Sequence, residues 1–253
     1  MIPRVGVTRY VTPLREGGSL PGLVEAADLG VYVCKFRGAG QGVRVLVAEV
    51  LAGELARRLG LRTPRLVALE LGPEIARYEA DEEVQDLLVA SVGLNLGVDF
   101  LPGAFGFDGE QATDPEVAAR ILWLDAFTAN VDRSWRNPNL LLWHGDVWAI
   151  DHGASLYFHH AWGTRVTDPA RFADQPWDVT DHVLESALPG LALADAHARG
   201  VLSREVFAEV VALVPDEWLG FVPETRPETL RAAYVDFLDA RLGSRAWLPG
   251  EGR

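Results

Sequence analysis

The stretch Asn130-Val131-Asp132-Arg133-Ser134-Trp135-Arg136-Asn137 is the densest polar cluster of the chain, and Ala149-Ile150-Asp151-His152-Gly153-Ala154 follows it after a predicted β-hairpin. A phosphoryl-transfer site needs one carboxylate that orients or deprotonates the acceptor hydroxyl. It also needs hard oxygen ligands that hold Mg²⁺ against the nucleotide phosphates. Asp132, Asn137 and Asp151 supply these groups, so the two segments predict a phosphoryl-transfer site.

A single lysine stands upstream of this cluster. The chain has 23 basic residues, of which Lys35 is the only lysine and the other 22 are arginines. An ammonium is a compact point charge, whereas a guanidinium is a wide planar fork, so a lone lysine indicates a place where arginine does not fit. Val31-Tyr32-Val33-Cys34-Lys35-Phe36 is β-branched and aromatic, which predicts a strand. A cation at the end of an apolar strand face needs an anionic partner.

The predicted helix from Arg44 to Leu59 offers two partners for Lys35. Glu54 has arginines three and four residues later, which is typical of a solvated ion pair on a helix surface. Glu49 has apolar neighbours or glycine at the same spacings and no local cation, so it is expected to find a cation elsewhere in the fold. Glu49 is therefore the predicted partner, with contact to water at the helix edge as the alternative.

The order of these groups resembles that of a known family. The pattern Asn-x-Asp-Arg-x-x-x-Asn, from Asn130 to Asn137, is similar to the catalytic loop N-x-D-R-H-x-x-N of HipA-like kinases. The resemblance extends over most of the chain and implies an α+β protein with a two-lobed protein-kinase-like fold, in a short form with the kinase core only. It implies a strand-rich N-terminal lobe at 1–98 and a helical C-terminal lobe at 99–253.

The resemblance also implies roles for individual residues, with ATP and Mg²⁺ as cofactors and a serine or threonine of a protein as the acceptor. Asp132 would be the catalytic base, and Asn137 and Asp151 would be the Mg²⁺ ligands. Lys35, fixed by Glu49, would contact the nucleotide phosphates. The Gly-rich turn that would cover these phosphates consists of Gly17, Gly18 and Ser19. Some HipA-type kinases phosphorylate themselves in this turn, but Ser19 also suits a turn for purely conformational reasons.

Two departures from the family pattern leave other functions open. Ser134 stands where the family has histidine, and Asp151-His152-Gly153 lacks the phenylalanine that many kinases have between the aspartate and the glycine. A nucleotide-binding pseudokinase that acts as an interaction module is one alternative, and a small-molecule kinase is another. Asn139 is an alternative metal ligand, although its spacing fits less well than that of Asn137.

Hydrophobic and turn patterns predict the remaining elements. Strands are expected at 5–12, 23–27, 30–36, 65–71 and 86–92, followed by a loop at 93–103 that joins the lobes. Asp114-Pro115-Glu116 is a helix start with a capping residue, and that helix is expected to run to about Asn130. A hairpin is expected around 144–146, and later helices near 179–188, 191–198, 203–213 and 226–242.

Charge and composition limit the possible partners. The net charge is −13, and no run of basic residues is present, so binding to nucleic acid or to an anionic membrane is not expected. Cys34 is the only cysteine, which excludes an intrachain disulfide. The first residues lack the apolar core of a signal peptide. The expected location is cytoplasmic, and a regulatory protein partner is possible by resemblance to the family.

Overall fold

The N-terminal part of the chain is a closed five-stranded barrel. The computed structural model describes residues 1–15, 20–40, 42–109, 111 and 113–250. The barrel strands follow the order β1-β2-β3-β5-β4, in which β1 and β4 are parallel and the other pairs are antiparallel. Their bounds are Arg4–Pro13 (β1), Gly22–Ala26 (β2), Val31–Lys35 (β3), Leu66–Leu71 (β4) and Gly93–Asp99 (β5).

The predicted hairpin of β2 and β3 is confirmed. Leu29 closes it in a left-handed conformation, with a φ of 66°. Tyr32 and Cys34 point into the barrel, and the alternate residues of β3, including Lys35, lie on its other face. The strand thereby directs the only lysine away from the barrel interior.

Strand β5 corrects the predicted loop at 93–103. Its two glycines and Asn95 favour a loop when the sequence is considered alone. In the barrel, however, Gly97 lies where an added Cβ would be 2.7 Å from atoms of Leu69 and Val67, so glycine lets the two strands approach closely. Asn95 is buried and its Oδ1 accepts a hydrogen bond from Arg37 N at 2.8 Å.

Two α-helices accompany the barrel, α1 (Val43–Arg58) and α2 (Glu82–Ala90). Helix α1 confirms the helix that the sequence predicts from Arg44 to Leu59. Helix α2 replaces the strand predicted at 86–92: Asp81 caps it by accepting from Glu83 N and Val84 N, and two glutamates in its first turn complement the helix dipole.

A small sheet and a long helix begin the C-terminal part. Strands β6 (Phe105–Gly106), β7 (Leu140–Trp143) and β8 (Asp146–Ala149) pair in that order, and β7–β8 is the predicted hairpin. Helix α3 (Pro115–Thr128) begins as predicted, with the Asp114 side chain accepting from Glu116 N. It ends at Ala129, whose left-handed conformation turns the chain into the polar cluster.

Three further α-helices follow in the described part of the chain: α4 (Leu191–Val201), α5 (Arg204–Val211) and α6 (Pro227–Gly243). The helix predicted at 179–188 is wrong. In its place is irregular chain followed by a 3₁₀ helix at Glu185–Gly190, because this segment bonds to the neighbouring polar cluster rather than to itself. Among the described residues, no helix combines the length and the apolar character that crossing a bilayer requires.

The barrel and the helices are joined by a common core. The inner face of α1 packs into a large hydrophobic cluster that also contains Trp123 and Phe127 of α3, while a smaller cluster around Tyr32 fills the barrel. The lobe boundary at 98/99 falls within β5 and stays a prediction. The fold as a whole is the two-lobed arrangement of strand-rich and helical parts that the family resemblance implies.

Candidate active site

Lys35 lies between two carboxylates that come from different parts of the fold. Its Nζ contacts Glu49 Oε1 of α1 and donates to Asp151 Oδ1, just after β8, at 2.7 Å. Only 12% of the lysine side chain is exposed. The structure thus joins Lys35 to the predicted Glu49, whereas Glu54 pairs with Arg57 of its own helix.

The three groups shift one another's pKa values. Burial alone would lower the pKa of Lys35, but the negative charges of Glu49 and Asp151 raise it above its ordinary value. Lys35 holds the pKa of Asp151 well below its usual range, against the opposing effect of burial. Burial raises the pKa of Glu49, and Lys35 counteracts it only in part. Asp151 is therefore an ionised carboxylate at neutral pH, and 49% of its side chain is exposed.

The backbone around Asp151 is held in a conformation that few residues adopt. Its φ is 52°, in the left-handed region, which aspartate tolerates better than most residues. Hydrogen bonds fix it on both sides, because Ile150 N donates to Asn139 O at 3.1 Å and His152 N donates to Glu49 Oε2 at 3.0 Å. Local strain of this kind persists where the surroundings enforce it, and it is concentrated at functional sites.

Gly153 allows α1 to approach this turn. A Cβ at this position would lie 2.6 Å from Val45 Cγ1 and 3.0 Å from Glu49 Oε1. His152 is buried beside it, and burial together with Arg133 lowers its pKa to about 3, so it is neutral at pH 7. The aspartate, histidine and glycine thus pack directly against the helix that carries Glu49.

Asp132 is half-buried and is held by two asparagines. Asn137 Nδ2 donates to its Oδ2 at 3.0 Å. Asn139 Nδ2 donates to its backbone oxygen at 2.8 Å and lies 3.4 Å from Oδ2. Since Asn139 also accepts from Ile150 N, hydrogen bonds connect Asp132 to the turn that carries Asp151.

A buried carboxylate beneath this loop was not predicted from the sequence. Asp125 of α3 is fully buried and accepts from Asn130 Nδ2 at 2.8 Å, Arg133 Nε at 2.6 Å and His182 Nε2 at 3.1 Å. Burial opposes its ionisation, but Arg133 and His182 outweigh that effect and hold the pKa of Asp125 below its usual range. Asn130 Oδ1 in turn accepts from Asp132 N at 3.1 Å, which links the buried carboxylate to the loop.

Arg133 connects the two segments of the site. Its Nε binds Asp125, while its Nη1 donates to the backbone oxygens of Asn139 and Ile150, the latter at 3.3 Å. Its Nη2 lies 3.3 Å from His152 Nδ1. The side chain is completely buried, so this arginine holds the loop in place and is not available to a ligand.

The donor atoms suit the Mg²⁺ that the resemblance implies. Asp151 is an ionised oxygen donor, and Asn137 uses its amide nitrogen to bind Asp132, which leaves its amide oxygen as a ligating atom. Mg²⁺ typically takes one or two protein oxygens and completes its shell with phosphates and water. In the part of the chain that the structure describes, no group of three or more His, Cys, Asp or Glu could hold a metal ion. Asn137 and Asp151 each offer an oxygen atom of the type that Mg²⁺ binds, and their role as its ligands stays a prediction.

Other predictions fall outside this network. Gly17, Gly18 and Ser19 lie outside the described residues. Trp162 is fully buried, whereas Trp135 is largely exposed and stacks with Arg136.

Comparisons with known proteins agree with the fold. The family model described as HipA-like kinase matches residues 7–241, and the chain belongs to that family. No functionally curated protein sequence matches it. The crystal structure of the Helicobacter pylori proinflammatory kinase CtkA is similar with a TM-score of 0.52 and 12% identity, over 96% of this chain and 98% of that chain. The crystal structure of the Golgi casein kinase gives a TM-score of 0.46 and 12% identity, over 98% of this chain and 75% of that chain.

These comparisons confirm the family and the kinase-like fold that the sequence predicts. Membership of a kinase family supports a kinase-like phosphotransferase. The roles of the individual residues stay predictions.

Proposed function

We propose that the chain is an ATP- and Mg²⁺-dependent phosphotransferase that binds the nucleotide between the lobes at 1–98 and 99–253 and acts on a serine or threonine of a protein. One observation carries this proposal: the only lysine lies between Glu49 and Asp151, and Ile150, next to Asp151, is connected to Asp132 by hydrogen bonds through Asn139. The structure thus joins Lys35 and Glu49 to the segment that carries Asp132 and Asp151, although Lys35 and Asp151 are 116 residues apart in the sequence.

Each residue has a role that its environment allows. Lys35, fixed by Glu49, binds nucleotide phosphates as a point charge. Asp132 accepts the proton of the acceptor hydroxyl. At the same time the hydroxyl oxygen bonds to the γ-phosphorus, and the bond between that phosphorus and the ADP oxygen breaks. Mg²⁺, when bound by Asn137 and Asp151, neutralises charge on the phosphates. The Gly-rich turn at Gly17, Gly18 and Ser19 covers those phosphates in this proposal.

The variant Asp132→Ala tests this assignment. Transfer of the γ-phosphate should fall by about 10²- to 10⁴-fold because the proton acceptor is lost. ATP binding, measured by titration calorimetry, should stay within about threefold of wild type, since Lys35 and Asp151 are untouched. Asp86→Ala, on the exposed face of α2, is the control and should retain full transfer. Transfer at the wild-type rate by Asp132→Ala would contradict the mechanism.

A nucleotide-binding pseudokinase is the second candidate, and Ser134 favours it. Where the family has a histidine, the Ser134 side chain accepts from Asn137 N at 3.3 Å and serves the loop structure. A thermal shift with ATP and Mg²⁺, combined with a transfer assay, separates the two functions. Stabilisation without transfer supports the pseudokinase, and stabilisation with transfer supports the kinase.

A further inference from the structure

A cavity of about 790 Å³ lies beside the catalytic loop. It reaches the loop at Asn130, Val131 and Ser134, the residues that surround Asp132 in the sequence. Lys35, Glu49 and Asp151 are not among the described residues that line it. The cavity is therefore separate from the proposed phosphate site but adjoins the loop that carries the proposed base.

One wall of this cavity is bonded directly to the catalytic loop. Ser134 and His182 form an antiparallel bridge, Trp135 N donates to Asp181 O at 3.1 Å, and Val183 N donates to Arg133 O at 3.2 Å. Farther along the wall, Trp177 Nε1 donates to Asn130 O at 2.7 Å.

His182 connects this wall to the buried carboxylate of Asp125. Leu184 N donates to His182 Nδ1, so the ring proton lies on Nε2, which donates to Asp125. A ligand in the cavity therefore contacts a surface whose position relative to Asp132 is fixed.

The interior of the cavity is mainly apolar. Its aromatic lining residues come from four separate segments and are Tyr157, Phe158, Phe172, Trp177 and Phe237. Aromatic walls bind apolar side chains, and the volume is toward the upper end of the range for small-ligand sites. The space thus accommodates more than a single serine or threonine.

At the cavity, the positively charged arginine side chains are buried, whereas the negatively charged side chains are exposed. The arginines Arg133 and Arg241 are buried, and Arg241 donates to the backbone oxygens of Ala126, Phe127 and Ala173. Asp178 and Asp181, in contrast, are both exposed at the rim. A ligand therefore meets negative charge at the entrance, and the net charge of −13 acts in the same direction.

We infer that this cavity binds the acceptor as a polypeptide segment, in which the hydroxyl residue is flanked by an apolar side chain and by lysine or arginine. This inference rests on the proposed function and names its substrate class. The apolar side chain occupies the aromatic interior, the basic side chains meet Asp178 and Asp181, and the hydroxyl lies toward Asp132. Exposed ion pairs of this kind contribute more to selectivity than to absolute affinity.

Binding of two labelled peptides tests the charge preference. Both contain a central serine, one leucine and one phenylalanine, and they differ in having three arginines or three glutamates. Fluorescence anisotropy at low salt should show about tenfold or greater preference for the basic peptide, which should shrink as salt screens the charges. Equal binding, tighter binding of the acidic peptide, or no binding of either overturns the inference.

Two sets of variants locate the binding. The double variant Asp178→Asn and Asp181→Asn should abolish the preference, and it should fold normally because asparagine tolerates the φ of 69° at position 181. The control Glu82→Gln with Asp86→Asn removes the same charge from α2 and should retain the preference. Ala161→Trp, which fills the cavity from an exposed lining position, should weaken basic-peptide binding at least tenfold. Unchanged binding in Ala161→Trp overturns the inference.

The experiment separates this inference from the proposed function. The anisotropy measurement needs neither ATP nor phosphate transfer. If the chain prefers the basic peptide but transfers no phosphate, the inferred peptide preference is correct and the proposed phosphotransferase function is wrong. A chain that phosphorylates the acidic peptide faster than the basic one retains the proposed function, whereas the substrate class named here is then wrong.

Discussion

At the scale of the residue, the surroundings of Lys35 suit a cation of compact shape, and not only one of positive charge. Its ammonium contacts Glu49 and Asp151 together in a space that is almost closed to solvent. An ammonium directs three donors from one atom, whereas a guanidinium spreads five donors over a plane. The only lysine of this sequence thus occupies a place that suits a compact cation.

Replacement of Lys35 by arginine is the first prediction at this scale. Lys35→Arg keeps the charge but should lower phosphate transfer by about 100-fold, because the wider group displaces Glu49 or Asp151. Steady-state kinetics measures the loss. The control Arg9→Lys changes an exposed ion pair with Glu25 and should leave both stability and transfer unchanged. Full activity in Lys35→Arg would show that the compact ammonium is not required.

Asp125 is a second residue whose environment defines its role. Asp125→Asn should destabilise the fold by about 3–5 kcal/mol, because the buried guanidinium of Arg133 loses its countercharge. Urea unfolding measures this. The matched change Asp236→Asn removes an exposed partner of Arg204 and should cost less than about 1 kcal/mol. Similar costs for the two variants would mean that Asp125 does not hold the loop as described.

At the scale of the element, the contact between α1 and the turn at 151–153 determines whether Glu49 reaches Lys35. The added Cβ in Gly153→Ala meets the short, branched side chain of Val45, which cannot bend away. We expect a destabilisation of about 1–3 kcal/mol, together with reduced transfer as α1 shifts outward. Thermal unfolding and a transfer assay measure both effects.

A second substitution checks the cause of this effect. Val45→Ala in the Gly153→Ala background removes the nearest atom and should restore part of the stability and the transfer. If the double variant is no better than Gly153→Ala alone, the steric explanation is wrong.

The elements also show where sequence patterns suffice. The β2–β3 hairpin and helices α1 and α3 carry local signals, such as alternation and capping residues, and were predicted within a few residues. The short apolar segment Leu87-Leu88-Val89 is compatible with either a strand or a helix. The capping residue Asp81, six residues earlier, favours the helix α2. Strand β5 carries a glycine-rich loop signal, and only the barrel around Gly97 gives those glycines a place in a strand.

The residues proposed for the site differ in how clearly the sequence marks them. Lys35, Glu49, Asp132, Asn137 and Asp151 carry local signals, as a lone cation, an unpaired helix acid and a polar loop motif. Asp125 has a weaker signal, because it is a single acid within the apolar run from Ile121 to Phe127. His182 has no such signal in the sequence, because its role depends on Asp125, which is 57 residues away.

At the scale of the whole molecule, acid should destabilise the fold through buried histidine. His159 is fully buried against Tyr234, and burial, reinforced by His160 and Arg44, lowers its pKa well below the ordinary 6.5. Below pH 6.5 the unfolded chain binds a proton that the folded chain does not. The stability contributed by neutral His159 is therefore complete above pH 6.5 and decreases as the pH falls.

Urea unfolding at pH 7 and pH 5 measures this contribution. His159→Asn, whose amide replaces the bond to Tyr234, should lose about 2 kcal/mol less than wild type between these two pH values. The exposed His144→Asn serves as the control and should lose as much as wild type. Equal losses for His159→Asn and wild type would contradict the assignment.

The central claim is that Lys35, Asp132, Asn137 and Asp151 surround one bound nucleotide. A crystal structure with a non-hydrolysable ATP analogue and Mg²⁺ tests it most directly. We predict that Lys35 Nζ contacts the phosphates, that Asn137 and Asp151 hold the metal, and that Asp132 faces the γ-phosphate. A nucleotide bound elsewhere, or a metal held by other residues, would contradict this account.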